Sequence, residues 1–267
     1  MDKRTEHIVE ALRTAYDELE ARELARWVRE ELPENADSNA ISAAVNRLLQ
    51  GEPVQYVFEH ALWMGLDLRV TPATLIPRPE TAELISICKV RFDKGTPLSA
   101  PRVLDIGTGS GCIALALKQK HPEWEVSGCD ISEETLAVAR ENAVRNGVNV
   151  NFFRCNILHE VPEGPFNLLV SNPPYVCETE KSTMESRVLD YEPASALFVS
   201  DAQPLLFYER ITTLATNGLL TAGGMLCFEI NERFGSAVAE LMQQPGFREV
   251  RVLKDMFGKD RFVTGIR

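Results

Sequence analysis

Arg102-Val103-Leu104-Asp105-Ile106-Gly107-Thr108-Gly109-Ser110-Gly111-Cys112-Ile113-Ala114-Leu115-Ala116-Leu117 is the stretch on which the fold turns. Residues 102–106 are a short apolar run bounded by turn signals, the pattern of a buried strand. The glycines at Gly107, Gly109 and Gly111 then allow a tight turn and close approach of a ligand to the backbone. Cys112 opens a helix that ends near Pro122, so the turn lies at a helix N-terminus. Glu125-Val126-Ser127-Gly128-Cys129-Asp130 follows as a second strand. Its last residue, Asp130, stands close to the spacing of about 20 residues at which a carboxylate takes ribose hydroxyls. The glycine spacing is G-x-G-x-G and not the G-x-G-x-x-G of dinucleotide sites, so the loop is less suited to pyrophosphate.

Outward from this unit, strands and helices alternate. Ser132 caps a helix over 133–146, closed by Gly147. Strands are expected at 149–153, 166–170 and 225–230, and helices at 203–216 and 233–243. Two terminal strands, 250–253 and 261–266, read as an antiparallel edge, and 176–200 as a long polar connection. Such alternation implies an α/β, doubly wound, mostly parallel sheet with its ligand outside the C-terminal ends of the strands. The glycine loop, Asp130, Asn156 and Asn172 all fall there.

The strand at 166–170 runs into Ser171-Asn172-Pro173-Pro174-Tyr175. Two prolines fix φ twice and remove two backbone donors, leaving carbonyls free of ladder or helix duties. With the Asn172 side-chain oxygen beside them, they form a rigid set of acceptors suited to a planar N–H-bearing group. Read alone, the motif is equally a loop that ends a strand.

Before the glycine loop, Ile8, Val9, Leu12, Tyr16, Leu19, Leu24, Trp27 and Val28 recur at helical spacing until Pro33. Ser38 can cap a further helix carrying Ile41, Ala44, Val45, Leu48 and Leu49. Residues 1–53 are therefore expected to form a helical bundle. Residues 54–75 read as a β-hairpin linker, with strands at 54–58 and 66–70 about Gly65. A doubly wound domain occupies 76–267. At its start, Leu75-Ile76-Pro77-Arg78-Pro79-Glu80-Thr81 is a proline-stiffened loop that holds Arg78 in place, with Glu80 or Thr81 available to cap the helix after it.

A formal net charge of -11 and a pI near 5.0 argue against stable binding to nucleic acid. The six cysteines include no C-x-x-C pair and no cluster with His at metal-ligand spacing, so no metal is expected and the thiols read as reduced. The charged N-terminus lacks the apolar run of a signal peptide and no stretch is long enough to span a bilayer, so a cytoplasmic protein is expected; a monomer is also expected. The four histidines are scattered and read as structural or surface residues, and Glu178 and Glu180 as solvated loop charges.

Taken together, these motifs resemble the class I S-adenosylmethionine-dependent methyltransferases, and more narrowly the PrmC/HemK family, which methylates the glutamine of the Gly-Gly-Gln motif in peptide chain release factors. The resemblance runs through 51–56, the Ile-Pro-Arg-Pro-Glu-Thr block at 76–81, the loop from Asp105 to Gly111, residues 171–175, and Tyr191-Glu192-Pro193. It implies a seven-stranded Rossmann-like sheet with S-adenosyl-L-methionine as cofactor and S-adenosyl-L-homocysteine as product. By the family pattern the methionine part lies on Gly107, Thr108, Gly109, Ser110 and Gly111, and the ribose on Asp130. The adenine lies near Asn156 and Ile157, where the family often carries Asp and an aromatic. The substrate glutamine falls on Asn172, Pro173, Pro174 and Tyr175, with Arg78 beside them, and Asn172 also borders the cofactor. The Asn172 oxygen and the Pro173 carbonyl are expected to accept the two amide N–H bonds while Tyr175 walls the amide plane. Asn-Pro-Pro-Tyr is shared with enzymes that methylate exocyclic amines of bases. The alternatives are therefore an adenine methyltransferase of DNA or RNA, a glutamine methyltransferase of a ribosomal protein, and a non-catalytic docking module.

Overall fold

The computed structural model describes residues 3–92 and 100–267; Met1 and Asp2 of the expected charged N-terminus lie outside them. Helices α1 (Lys3–Leu12), α2 (Glu18–Glu31) and α3 (Ser38–Leu49) bury Ile8, Leu12, Ala25, Val28, Val45 and Leu48 against one another. The continuous helical pattern before Pro33 is divided in two. The Asp17 side chain accepts hydrogen bonds from the amides of Leu19 and Glu20, which starts a new helix at Glu18. Helix α3 is likewise capped by Asp37, whose carboxylate accepts from the Ala40 amide at 2.7 Å, and Ser38 is its first helical residue.

Residues 54–57, expected as a strand, form a helical turn, α4 (Val54–Val57). Val54 and Val57 stand three apart and both pack on the bundle, as one face of a helical turn requires. Tyr56 joins a separate cluster with Ala61, Val70 and Ile76, and its hydroxyl donates to the Thr74 carbonyl at 2.6 Å. The guanidinium of Arg47 donates to the carbonyls of Tyr56 and Val57. The hairpin is smaller than expected: β1 (Ala61–Trp63) pairs antiparallel with β2 (Leu66–Leu68). Positive φ at both Met64 and Gly65 suits a tight two-residue turn.

After α5 (Thr81–Phe92) the chain alternates through β3 (Arg102–Ile106), α6 (Cys112–Lys120), β4 (Glu125–Asp130), α7 (Glu133–Arg145), β5 (Asn151–Arg154) and β6 (Phe166–Ser171). The stretch 176–200, expected as a long polar connection, is built of short elements. It holds β7 (Val176–Cys177), α8 (Ser186–Tyr191), α9 (Ala194–Leu197) and β8 (Phe198–Val199). Strands β7 and β8 pair in parallel, and Cys177, Leu197, Val199 and Glu192 are buried. Then come α10 (Leu206–Leu214), β9 (Leu220–Glu229), α11 (Gly235–Gln243), β10 (Arg248–Lys254) and β11 (Asp260–Ile266). Strand β9 starts five residues before the expected boundary, in Leu220-Thr221-Ala222-Gly223-Gly224, whose small and polar residues conceal a strand.

Among the described residues the main sheet has seven strands in the order β10-β11-β9-β6-β3-β4-β5. The five from β9 to β5 pair in parallel, and β11 is antiparallel to both its neighbours. From β3 the chain moves one way to β4 and β5 and later the other way to β6 and β9, so the switch in direction falls between β3 and β6. Helices α5, α6 and α7 cover one face, whose core includes Leu84, Ile85, Leu115 and Leu136. Helices α10 and α11 cover the other, with Tyr208, Ile211, Val238 and Met242. The central strands are buried on both faces, which is why they read as apolar runs and not as alternations.

Candidate active site

Register places the site. Ile106 pairs with both Cys129 and Ser171, so β3, β4 and β6 end at one level. Gly107, Asp130 and Asn172, each the next residue or the last of its strand, thus leave the sheet side by side. With the end of β5 they border a cavity of about 310 Å³, within the range of ligand pockets.

Gly107, Thr108, Gly109, Ser110, Asp130, Asn156, Ile157, Asn172, Pro174 and Arg78 all line this cavity. Gly107 and Gly109 adopt φ of +73° and +55°, the left-handed region that glycine enters without steric cost. The half-buried Asp130 carboxylate accepts from the amides of Gly109 and Ser132, both at 3.1 Å. Burial raises its pKa, partly offset by those two amides. Asp130 thus ties the glycine loop to the end of β4. The Asn156 side-chain oxygen accepts from the Leu158 amide at 3.2 Å, and the Ile157 carbonyl accepts from Arg210 Nε at 2.9 Å.

Three expected site residues do not themselves line the cavity. Gly111 is the N-cap of α6 at φ +83°, and a Cβ there would lie 3.0 Å from Phe152 Cζ; its smallness serves packing beneath the loop. Pro173 is buried between Asn172 and Pro174, the two residues of the motif that line the cavity. Tyr175 does not wall the cavity: its ring packs on the apolar cluster below the sheet end. Its hydroxyl donates to Glu229 Oε1 at 3.2 Å, drawn to a buried carboxylate that has few other donors. Burial, with the charge of Glu229, pushes the Tyr175 phenol above its ordinary range.

Four residues were not assigned to the site from the sequence. Asp105 is fully buried at the end of β3. Its Oδ2 accepts from the Thr108 hydroxyl at 2.6 Å, while its Oδ1 has no hydrogen-bond partner. Desolvation pushes its pKa up to about 7. Glu192, buried on the segment after α8, accepts from Arg78 Nη2 at 2.5 Å and from the Ile76 amide at 3.3 Å. The Arg78 carbonyl accepts from Trp63 Nε1 at 2.9 Å. Arg78 is therefore held at both its backbone and its head. Thr81 and Glu229 are both buried and share a hydrogen bond of 2.7 Å from the Thr81 hydroxyl to Glu229 Oε2. Thr81 does not cap α5: the Ala82 amide donates to the Pro79 carbonyl instead. A carboxylate within the apolar run Cys227-Phe228-Glu229-Ile230 was the legible signal for Glu229, since a buried acid needs a partner. Glu180, expected as a solvated charge, accepts from Asn231 Nδ2 and from the Cys177 amide.

This donor set fits S-adenosylmethionine. The Asp130 carboxylate on the wall suits vicinal hydroxyls, the unpaired Asp105 oxygen lies buried behind Thr108, and Ile131, Ile157, Leu158 and Phe207 provide apolar walls for a flat base. Among the described residues no group of three or more His, Cys, Asp or Glu could hold a metal ion, and no helix is long and apolar enough to cross a membrane.

Residues 88–192 match the family described as the methyltransferase small domain. A Bacteroides thetaiotaomicron protein named release factor glutamine methyltransferase is 47% identical over 223 residues, covering 83% of this chain and 78% of its own. Its namesake in Flavobacterium psychrophilum is 43% identical over 218 residues, covering 81% and 76%. A methyltransferase from Pyrococcus furiosus superposes with a TM-score of 0.55 at 21% identity, covering 83% of this chain and 96% of its own, a likeness of fold. With that identity extending over most of both sequences, the chain belongs to the release factor glutamine methyltransferase family.

Proposed function

We propose that this protein transfers a methyl group from S-adenosyl-L-methionine to the side-chain amide nitrogen of the glutamine in the Gly-Gly-Gln motif of peptide chain release factors, leaving S-adenosyl-L-homocysteine. The observation that carries the reading is the placement of Asn172 and Pro174 on the wall of the same cavity that Asp130 and the glycine loop border. The cofactor supplies an electrophilic methyl group on a sulfonium.

An amide nitrogen is a weak nucleophile because its lone pair is delocalised into the carbonyl, so the protein acts mainly through placement and electrostatics. In this reading the Asn172 side-chain oxygen and the Pro173 carbonyl accept the two N–H bonds of the substrate amide and aim its nitrogen at the methyl group. The nitrogen gains the methyl and sheds one proton to solvent, and the sulfur keeps the bonding pair. Well-aligned placement is worth on the order of 7–11 kcal/mol of barrier, against roughly 10²- to 10⁴-fold from a general base. Gly107 to Ser110 and Asp130 hold the cofactor, with Gly111 keeping the loop in register. Asn156 and Ile157 border the base, and Tyr175 braces the motif from below. Arg78, clamped by Glu192, lines the entrance for the substrate loop.

We read residues 1–53 as the helical domain, 54–75 as the linker and 76–267 as the catalytic domain. The acidic balance of the chain, -11, supports the absence of stably bound nucleic acid, and we read the protein as a cytoplasmic monomer. Incubation with methyl-labelled cofactor, release factor and a variant release factor lacking the glutamine tests the reading. Label on the glutamine is the expected result. Label on nucleic acid, on the variant, or on neither would overturn it.

A further inference from the structure

We propose that Glu229 is a positioning residue which, through the Thr81 hydroxyl, decides which end of the Asn172 amide faces the substrate. The inference rests on the reading that Asn172 grips a glutamine amide. Thr81 Oγ1 donates to Glu229 Oε2 at 2.7 Å, Tyr175 donates to Glu229 Oε1 at 3.2 Å, and Asn172 Nδ2 lies 3.4 Å from Thr81 Oγ1. Thr81 and Glu229 are each 2% exposed, so water does not compete for these bonds.

The assignment follows from counting protons. A carboxylate only accepts, and a hydroxyl has one proton to give. With that proton committed to Glu229, Thr81 has only lone pairs to offer Asn172. The Asn172 side chain must then present its NH₂ to Thr81, which turns Oδ1 the other way, to the cavity its side chain borders. An oxygen there accepts from a substrate N–H, whereas an NH₂ would repel it. Burial raises the Glu229 pKa, while the Thr81 hydroxyl, the nearby Arg261 guanidinium and the Tyr175 hydroxyl each favour its negative charge. That guanidinium is itself held by Asp255, with Nε donating to Oδ2 at 3.1 Å. The Glu229 carboxylate never touches substrate or cofactor in this scheme. It acts by specifying the proton direction in a two-bond chain.

Glu229→Gln keeps the shape and replaces one acceptor by a donor, releasing the Thr81 proton towards Asn172. Its expected effect is a fall in kcat of about 10- to 100-fold with the dissociation constant for S-adenosylhomocysteine unchanged. In an Asn172→Ala background the same substitution should cost nothing further, a coupling that a merely structural role would not produce. Thr81→Val should lose turnover to a similar degree and Thr81→Ser should recover most of it; that pair decides the matter if Glu229→Gln does not fold. Wild-type turnover by Glu229→Gln, full additivity with Asn172→Ala, or equal activity of the two Thr81 variants would overturn the inference while leaving glutamine methylation standing. Failure of the wild-type protein to label the release factor glutamine would remove the underlying reading and the inference together.

Discussion

Asn172 and Asp130 face one cavity but divide its work, and substitutions should separate them. Asn172→Ala removes an acceptor aimed at the reacting amide; turnover should fall about 100-fold or more, the scale seen when one preorganised hydrogen-bonding group is lost. S-adenosylhomocysteine affinity, read by calorimetry, should hold. Asp130→Ala should do the reverse, weakening that affinity about 10- to 100-fold, because hydrogen bonds to a charged group are worth roughly 1.5–3 kcal/mol. Asp105 is a third case, visible in stability. Its folded-state pKa, pushed up to about 7 by burial, lies above the ordinary value of 3.8. Below pH about 4 the group is protonated in both states. As pH rises towards 7 the unfolded chain ionises it and the folded chain does not, so folded stability is lost across that window, by up to about 4 kcal/mol at 1.36 kcal/mol per pH unit. Asp105→Asn should abolish that slope; thermal midpoints of both proteins from pH 4 to 8 measure it, and parallel curves would refute it. Much of the site was legible because glycine spacing, a strand-end acid and Asn-Pro-Pro-Tyr are local in sequence. Glu229 shows as a charge within an apolar run, but its partner and the roles of Thr81 and Glu192 do not, because they arise from contacts between residues more than a hundred positions apart.

The strands of the parallel sheet were readable as apolar runs, since burial on both faces removes alternation and leaves only length and turn signals to locate the ends. Strand β6 was expected at 166–170 and ends one residue later, at Ser171. Residues 54–58 misled because Val-x-x-Val fits a strand by composition and a helical turn by spacing; packing on the bundle and the Arg47 guanidinium decided for the turn. Residues 176–200 misled because their order is tertiary, with Glu192 buried on Arg78 and Cys177 paired with Val199. Strand β4 carries a requirement that its sequence shows only as an interruption. A Cβ on Gly128 would lie 2.7 Å from Thr108 Oγ1 and 2.7 Å from Phe152 Cε1. Gly128→Ala should therefore destabilise the fold by about 1–3 kcal/mol, the usual cost of overpacking. By displacing Thr108 it should also weaken cofactor binding. Denaturant midpoints and calorimetry together check both effects, and a variant as stable as the wild type would show that Phe152 yields.

Across the whole molecule, the bundle reaches the catalytic sheet through two kinds of contact with different weights. On the surface, Arg187 pairs with Glu20 at 2.7 Å, with both side chains over a third exposed. Exposed pairs of this kind contribute about 0–1 kcal/mol. In the interior, Asn142 of α7 is fully buried. Its side-chain oxygen accepts from the Arg69 amide at 2.7 Å, and its Nδ2 donates to the carbonyls of Arg69 and Ser110, both at 2.9 Å. One side chain thereby fastens the strand leaving the hairpin to the glycine loop. Tension or looseness in the linker then reaches the cofactor loop through Asn142, while the surface pairs adjust around it. Asn142→Ala would leave three backbone groups, one buried and two part-buried, without this partner, at a cost of up to about 1–3 kcal/mol each. It should lower denaturant stability by several kcal/mol and raise the S-adenosylhomocysteine dissociation constant together. Arg187→Ala should shift stability by less than about 1 kcal/mol and leave cofactor binding alone. Equal responses in the two variants would mean that the bundle is held by its surface charges and that the hairpin does not steady the glycine loop.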